Sequence, residues 1–332
     1  MTWARDDGRA LRAAERGHDP RPSDADSPRR ITAAGWRRIL RRVAGHVLSD
    51  RLMVQSAGVA FFAVLSIAPV LVTAISVYGA VNTPEQALQQ LSSVAGVLPA
   101  DLRLVVADQL TTITAASTQV LTWRGLTGLV VALWTATTAM TYLIDGLTLA
   151  YHETETRGFL RRSGLALVFV LSGALLLGAV MAAAGAGSRA LAGVPGPVRT
   201  VLPVVSWAGL AVLVTVVLAV LYRYAPDRKE ARWRWITLGS TIATVLWLAT
   251  TAGLFAYVER LGSYQSTYGS LAGVAISMFW LWTTVFLVIV GAAVNAETER
   301  QTARDSTVGP EQPLGARGAV VADSAPPFPG EG

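Results

Sequence analysis

The chain has 332 residues, of which 52% are apolar and only 15% are charged, and its formal net charge is +6. This composition is typical of membrane proteins and leaves no room for a large soluble domain. Cysteine is absent, which excludes disulfides, thiolate nucleophiles, iron–sulfur clusters and cysteine-based zinc sites.

The residues before the first apolar run divide into two segments. Residues 1–30 are rich in Arg, Asp, Pro and Gly and lack the apolar stretch of a secretory signal, so we expect a disordered tail. Residues 31–53 predict a basic amphipathic helix. Its apolar face carries Trp36, Ile39, Leu40, Val43 and Val47, and its basic face carries Arg37, Arg38, Arg41, Arg42 and His46. Two roles fit this helix: recognition of anionic lipid, or an anchor that orients the first span.

Six apolar runs follow, each long enough to cross a hydrocarbon core of about 30 Å, which needs roughly 20 helical residues. Because backbone polar groups in lipid must be satisfied internally, these runs predict an all-α polytopic fold with a membrane domain over residues 54–297. The predicted spans are Val54–Val81, Leu126–Ala150, Gly164–Leu191, Val201–Tyr222, Trp235–Val258 and Gly269–Ala296.

The segment between spans one and two, residues 82–125, is too long for a plain loop. Thr83, Pro84 and Gln86 form a helix start signal, and apolar residues repeat at helical spacing after it. We expect an extracytoplasmic helical hairpin here. It fits either a cap over a cavity or a packed structural element.

The basic residues predict the orientation of the spans. Of the 28 Lys and Arg residues, 23 fall in the N-terminal region through Arg51, the turns after spans two and four, and the C-terminal tail. Since cytoplasmic loops are enriched in Lys and Arg, both termini are predicted to be cytoplasmic. Residues 298–332, rich in Pro, Gly, Ala and Ser, predict a second disordered tail.

Polar residues within the spans are candidates for a substrate path, because a charge at a helix centre costs about 2.5 to 3.5 kcal/mol on insertion scales. Only Asp145 qualifies as an ionisable residue inside a span, close to the cytoplasmic end of span two. Gln55 and Ser66 are further candidates for polar contacts inside the bundle. The alternative for Asp145 is an interfacial or internally paired carboxylate.

Two polar clusters mark the ends of spans. The turn after span four contains Arg223, Arg228 and Arg232 among aromatic residues, a pattern that suits lipid headgroups and is also common at a cytoplasmic boundary. The entry to span six is rich in hydroxyl groups, which predicts a polar mouth. The candidates there are Tyr264, Gln265, Tyr268 and Ser270.

Residues that would support enzymatic chemistry are scarce. His152 lies beside Glu153 and Glu155, but no second ligand group stands at a diagnostic spacing. The sole lysine, Lys229, is not part of a phosphate-binding glycine loop. We therefore predict no catalytic set, no metal, no cofactor and no ATP-driven transport. Nucleic-acid binding is also not expected, because basic and aromatic residues segregate to opposite helix faces.

Several spaced motifs resemble the BrkB or YihY family of bacterial inner-membrane proteins, once labelled ribonuclease BN-like, over about residues 49–297. The motifs are Ala57 to Phe62 with Leu65, Ser66 and Pro69; Leu133 to Ala136; Tyr151; Arg157 to Arg162; Tyr222 to Pro226; Tyr268 to Leu271; Trp280; and Gly291 with Asn295 and Ala296. The chain departs from the usual pattern at Ala293 and Thr148. The resemblance implies a six-helix protein of the bacterial cytoplasmic membrane, for which transport or lipid handling is often proposed.

These observations favour a transporter or lipid-translocating protein that does not use ATP. A structural or scaffolding protein of envelope assembly is the alternative, and ribonuclease action is disfavoured. The expected partners are membrane lipids of anionic type, with envelope proteins or further copies of the chain as additional candidates.

Overall fold

The computed structural model describes Ala25 and residues 27–48, 50–81, 118–190, 196–260 and 270–324. Within these ranges the chain forms seven α-helices, a short 3-10 helix at Pro28–Arg30 and one isolated bridge between Ala231 and Thr307. The helices are α1 (Ala33–Val47), α2 (Asp50–Val81), α3 (Thr118–Ala150), α4 (Phe159–Ala190), α5 (Gly196–Tyr224), α6 (Trp233–Arg260) and α7 (Ser270–Glu299).

The helices α2 to α7 confirm the predicted all-α fold with six membrane spans. Each is long and apolar enough to cross a bilayer. The membrane-spanning segments are Arg51–Val70, Trp123–Ala150, Phe159–Val180, Val205–Tyr224, Trp233–Val258 and Gly273–Glu299. The predicted hairpin lies outside the described residues, except that the end of its segment, from Thr118, belongs to α3.

The amphipathic region is shorter than predicted. Over residues 31–53 we expected one helix, but α1 begins after Thr32, whose side chain accepts a hydrogen bond from the Gly35 amide as an N-cap. It ends at Val47, and α2 starts anew at Asp50 and runs into the first span. The spacing of the apolar residues does not reveal this break, because apolar residues continue from the end of α1 into the start of α2.

The expected disorder of residues 298–332 is wrong for the part that the structure describes. Glu299 still belongs to α7, and residues 301–324 are held by hydrogen-bonded turns. The Asp305 carboxylate accepts bonds from the amides of Thr307 and Gln312, and Arg317 donates to three backbone carbonyls. Composition missed this order because it reports apolar content, whereas local hydrogen bonds stabilise this segment. Residues 325–332 lie outside the described ranges.

The described residues form two compact units. The smaller is Phe61–Ala139, and the larger comprises the chain up to Ala60 and from Met140 onward. In the smaller unit Gly128 allows a close approach to α2, since a Cβ there would lie 2.8 Å from the Thr73 hydroxyl and 3.3 Å from the Pro69 carbonyl.

In the larger unit α6 packs against α5 and α7, and α1 packs against α7. The buried core lies at one end of these helices and includes Leu147, Tyr151, Tyr222, Ile236 and Ile289. In α7 every side chain from Gly291 to Glu299 is buried, but none of residues 273–284 is. The same holds for residues 205–217 of α5 and 245–258 of α6, none of which is buried. Among the described residues of α5, α6 and α7, the buried positions therefore concentrate at one end.

The closest helix crossing joins α6 to α7 at Gly239 and Gly291. The Asn295 side chain bridges the helices there, accepting a bond from the Gly239 amide at 2.7 Å and donating to the Ile236 carbonyl at 3.0 Å. A Cβ on Gly239 would overlap the Gly291 carbonyl oxygen and the Asn295 side chain. Small residues allow such an approach, which is how membrane helices gain packing energy.

The substitution Gly239→Ala should therefore destabilise the protein. The new methyl group meets backbone, which cannot turn aside, and overpacking of this kind costs about 1 to 3 kcal/mol. Thermal unfolding of the purified protein in detergent measures the effect. Gly253→Ala, on the same helix with open space around it, is the matched control and should not lower the melting temperature. Equal melting temperatures for the two variants would contradict this account of the crossing.

Candidate functional site

Charged side chains from four parts of the chain meet at one end of the larger unit, here called the charged end. These parts are α1, the α3–α4 turn (151–158), the α5–α6 turn (225–232) and the end of α7 with residues 300–324. The sequence placed the same basic-rich parts on one side of the membrane. Their meeting at one end agrees with the sequence prediction, in which two spans separate each of these parts from the next.

Glu297 is the centre of the charged end. Its carboxylate accepts bonds from Arg42 Nε at 2.7 Å and Arg300 Nη1 at 3.1 Å, and it lies 2.8 Å from His152 Nε2. The Glu297 side chain is only 1% exposed. Arg42 also donates to the Gln301 side chain at 2.7 Å. One buried carboxylate thus holds groups from α1, the α3–α4 turn and α7.

Two histidines extend this cluster. The rings of His46 and His152 stack with their centroids 4.2 Å apart. Burial and the neighbouring His152 lower the pKa of His46 from its ordinary value. The neutral form of His46 is therefore favoured where α1 meets the bundle.

A second buried ion pair joins the α5–α6 turn to α7. Arg228 donates from both terminal nitrogens to the two oxygens of Glu299, each at 2.8 Å, and their side chains are 2% and 1% exposed. The guanidinium also lies 4.9 Å from the centroid of the Tyr151 ring. Burial opposes the charge of Arg228, but Glu299 nevertheless raises the pKa of Arg228 above its ordinary value. The charged guanidinium is therefore favoured, and its contact with Glu299 is bidentate.

Further bonds connect the two turns with each other. The Asp227 carboxylate accepts bonds from the Thr156 amide at 2.7 Å and the Thr156 hydroxyl at 2.6 Å. Burial would raise the pKa of Asp227, but these bonds and Arg157 hold that pKa below its ordinary value. Arg157 also donates to the Ala225 carbonyl at 2.7 Å. Thr148 accepts a long bond from the Asp227 amide at 3.3 Å.

The segment after α7 folds over both turns. The Val320 amide donates to the Glu153 carboxylate at 2.6 Å, and the Lys229 amide donates to the Gly318 carbonyl at 3.0 Å. Backbone bonds from Arg232 to Ser306 and from Val308 to Glu230 add to this contact. Burial raises the pKa of Glu153, although the Val320 amide opposes this shift.

The candidates for a path inside the bundle each have contacts of their own. Gln55 Nε2 donates to the Tyr142 carbonyl at 2.7 Å, whereas the Ser66 hydroxyl bonds to the Ala63 carbonyl of its own helix. Asp145 forms an ion pair with Arg162 Nη1 of α4 at 3.0 Å, and both side chains are 27% exposed. Asp145 is therefore ion-paired in the structure, and its role in a substrate path stays a prediction.

The three arginines predicted to bind headgroups bond within the protein. Arg228 is buried against Glu299, so it is not available to a headgroup. Arg223 bonds to Glu230 and the Ala231 carbonyl and lies 4.7 Å from the Trp233 ring, and Arg232 bonds to the Thr307 carbonyl. Sequence could not show the partners of Arg228 and Arg232, because Glu299 and Thr307 lie more than 70 residues away along the chain.

The predicted polar mouth lies almost wholly outside the described residues. Tyr264, Gln265 and Tyr268 are among the residues that are not described. Ser270 begins α7. The mouth therefore stays a prediction from the sequence.

Sequence reasoning missed the most connected groups of the site, Glu297 and Glu299. A signal was present: two acidic residues follow the apolar run of α7 directly, and Arg300 comes next. Carboxylates in the last turn of a membrane-spanning helix need cations as partners, and these cations come from other segments of the chain. Among the described residues no group of three His, Asp or Glu side chains is arranged to hold a metal ion.

Comparisons with known proteins place this architecture in a family. A family model described as virulence factor BrkB matches residues 43–314. The putative ribonuclease-like protein YfkH of Bacillus subtilis (strain 168) is 29% identical over 175 residues, which cover 51% of this chain and 63% of that protein. No solved structure matches the chain.

Other similar proteins carry membrane names. A UPF0761 membrane protein of Tolumonas auensis is 37% identical over 76 residues, covering 23% of this chain and 25% of that protein. A UPF0761 membrane protein of Rhodospirillum centenum is 31% identical over 103 residues, covering 31% of this chain and 23% of that protein. Each of these matches spans less than two thirds of the relative's length.

Glu297→Gln should destabilise the charged end strongly. It leaves Arg42 and Arg300 without their buried counter-charge, and breaking a buried ion pair costs about 3 to 5 kcal/mol. Thermal unfolding should show a large drop in melting temperature. The exposed Glu311→Gln removes the same charge from the segment after α7 and should leave the melting temperature nearly unchanged. Equal effects of the two substitutions would contradict a central role for Glu297.

Acidification should weaken the docking of α1. Folding lowers the pKa of His46, so the folded protein favours the neutral ring. The contribution of this neutral ring to stability is complete above the ordinary histidine pKa of about 6.5. It is lost as the pH falls through the lowered pKa. Arg300 and His152 oppose a proton on His46, while Glu297 and the Leu149 carbonyl favour it.

Melting temperatures measured between about pH 7.5 and pH 5 test this dependence. His46→Gln should flatten the decline toward acid, whereas His18→Gln in the N-terminal region should not. An unchanged slope in the His46 variant would show that this histidine does not contribute.

Proposed function

Because the chain belongs to the BrkB family of membrane proteins and has six helices fit to cross a bilayer, we propose that it transports a lipid or lipid-like amphiphile without ATP. The proposal places both termini on the cytoplasmic side of a bacterial-type inner membrane. The supporting argument for this orientation is the positive-inside rule applied to the basic residues of the charged end.

The observation that carries the proposal is the unequal packing of α5, α6 and α7. At the charged end, residues 291–299 of α7 are buried and Glu299 pairs with Arg228 of the α5–α6 turn, while residues 205–217, 245–258 and 273–284 have no buried side chain. A transporter that alternates access must be closed at one end while the other is accessible. A closed cytoplasmic end with loosely packed outer halves is the arrangement expected of an outward-facing state.

The loosely packed halves suit an amphiphilic cargo. The Trp247 and Trp280 indoles donate at 3.2 Å to the hydroxyls of Thr284 and Thr251, respectively, so polar groups occur between α6 and α7 within the membrane. Exposed apolar side chains such as Phe255 lie on the same helices. We expect a headgroup to interact with the hydroxyls and an acyl chain with the apolar surface. A headgroup can replace an indole–hydroxyl bond, because each hydrogen bond between membrane helices contributes only about 0.6 to 2 kcal/mol.

The ribonuclease-like name belongs to YfkH, and the present geometry gives little support for that chemistry here. His152 lies 2.8 Å from Glu297, and Glu153 accepts a bond from the Val320 amide. These two side chains, the best available pair for metal-dependent RNA cleavage, face different protein partners.

Purified protein reconstituted into liposomes with a fluorescent phospholipid tests the proposal. We expect the protein to move labelled lipid between leaflets without ATP. Glu297→Gln should raise the rate by at least tenfold, because it removes more from the closed end than the roughly 1.4 kcal/mol that corresponds to a tenfold change. The exposed Glu311→Gln serves as the control and should behave as wild type.

Absence of lipid movement with folded wild-type protein would contradict the proposal. If crosslinking in cells then recovered envelope proteins, and deletion of residues 84–117 abolished those contacts, the scaffolding alternative would replace it.

A further inference from the structure

The helix α1 uses its two faces for different purposes. Ile39, Val43 and Val47 are buried against α7 and α6, in a cluster with Ala293 and Val294. Because this apolar stripe is covered by protein, it is not available for insertion into lipid. The basic face is also divided: Arg42 turns to Glu297 and His46 stacks on His152.

The remaining face of α1 points away from the bundle. Arg37, Arg38 and Arg41 are exposed, and Leu40 and Leu48 beside them are 58% and 67% exposed. Positions 37, 41 and 48 follow helical spacing and share one side, with Leu40 on one flank of it and Arg38 on the other. No ion pair among the described residues engages the three arginines, and no acidic residue occurs from Ser27 to Ser49. This surface is called the outer face of α1.

The outer face lies at the membrane boundary. Only Leu48 and Ser49 separate α1 from α2, whose membrane-spanning segment begins at Arg51. Exposed leucines next to exposed arginines are the pattern of a helix that lies in the plane of the interface, with leucine toward acyl chains and arginine toward headgroups.

We propose that the outer face of α1 binds the headgroups of anionic phospholipids in the adjacent leaflet. Each arginine near a membrane surface favours anionic lipid by about fivefold in affinity at low salt. Three together give a preference on the order of tenfold to a hundredfold after screening.

This inference does not depend on transport. The lipid on the outer face is a bound partner and not the cargo, so a protein that moves no lipid could still bind it. Nucleic acid is the less suitable partner, because leucines stand among the arginines where a phosphate backbone would have to lie.

The test uses the full chain purified in detergent and titrated with short-chain phosphatidylglycerol or phosphatidylcholine, with bound lipid counted by native mass spectrometry. Wild type should bind phosphatidylglycerol at least tenfold more tightly, and added salt should reduce the difference. The R37Q/R38Q/R41Q variant should lose the preference. R5Q/R9Q/R12Q, which removes equal charge from the N-terminal region, should keep it.

A charge-preserving variant separates binding from folding. R37K/R38K/R41K should retain the preference, and its melting temperature without lipid should match that of wild type. The proposal is overturned if the glutamine variant still prefers phosphatidylglycerol or if lysine fails to preserve the preference. It is also overturned if the same arginines bind an RNA oligonucleotide while wild type shows no lipid preference.

Discussion

A carboxylate at the edge of a hydrocarbon layer needs a cation or water beside it, because an unpaired buried charge costs several kcal/mol. In this protein Glu297 and Glu299 end the last membrane helix with side chains 1% exposed, so their cations must come from elsewhere in the chain. Arg42 arrives from the first helix and Arg228 from the α5–α6 turn. This requirement for pairing brings distant segments to one place and fixes the geometry of the charged end.

The same requirement gives the two ends of the bundle different properties. At the charged end, ion pairs and the Gly239–Gly291 crossing hold the helices close. Farther along α5, α6 and α7 the side chains are not buried, and hydroxyl–indole bonds such as Trp247 to Thr284 replace ionic contacts. Ion pairs of this kind are weak evidence for stability in themselves, but they suit a switch, since they can be exchanged between states.

Sequence was sufficient for the spans and for the grouping of the basic segments, because each depends on local periodicity or on charge counts. It was sufficient for Ile39, Val43 and Val47 of the apolar stripe of α1, but wrong for Leu40, which is exposed. It was insufficient where a contact depends on the three-dimensional path of the chain. The destination of Arg228 on Glu299 and the docking of Val320 on Glu153 are examples. The order of residues 301–324 escaped notice for a related reason, since the hydrogen bonds of Asp305 and Arg317 leave no apolar pattern.

The central claim is that α1, the α3–α4 turn and the segment after α7 share the cytoplasmic side, where the ion pairs close the bundle. The sequence has no cysteine, so single cysteines introduced at the exposed positions Ala34, Thr154 and Val308 can each be tested in intact cells with a membrane-impermeant thiol reagent. The account predicts that these three react only after the membrane is opened, whereas a cysteine at Arg124 reacts from outside. Labelling of any of the three in intact cells would contradict it.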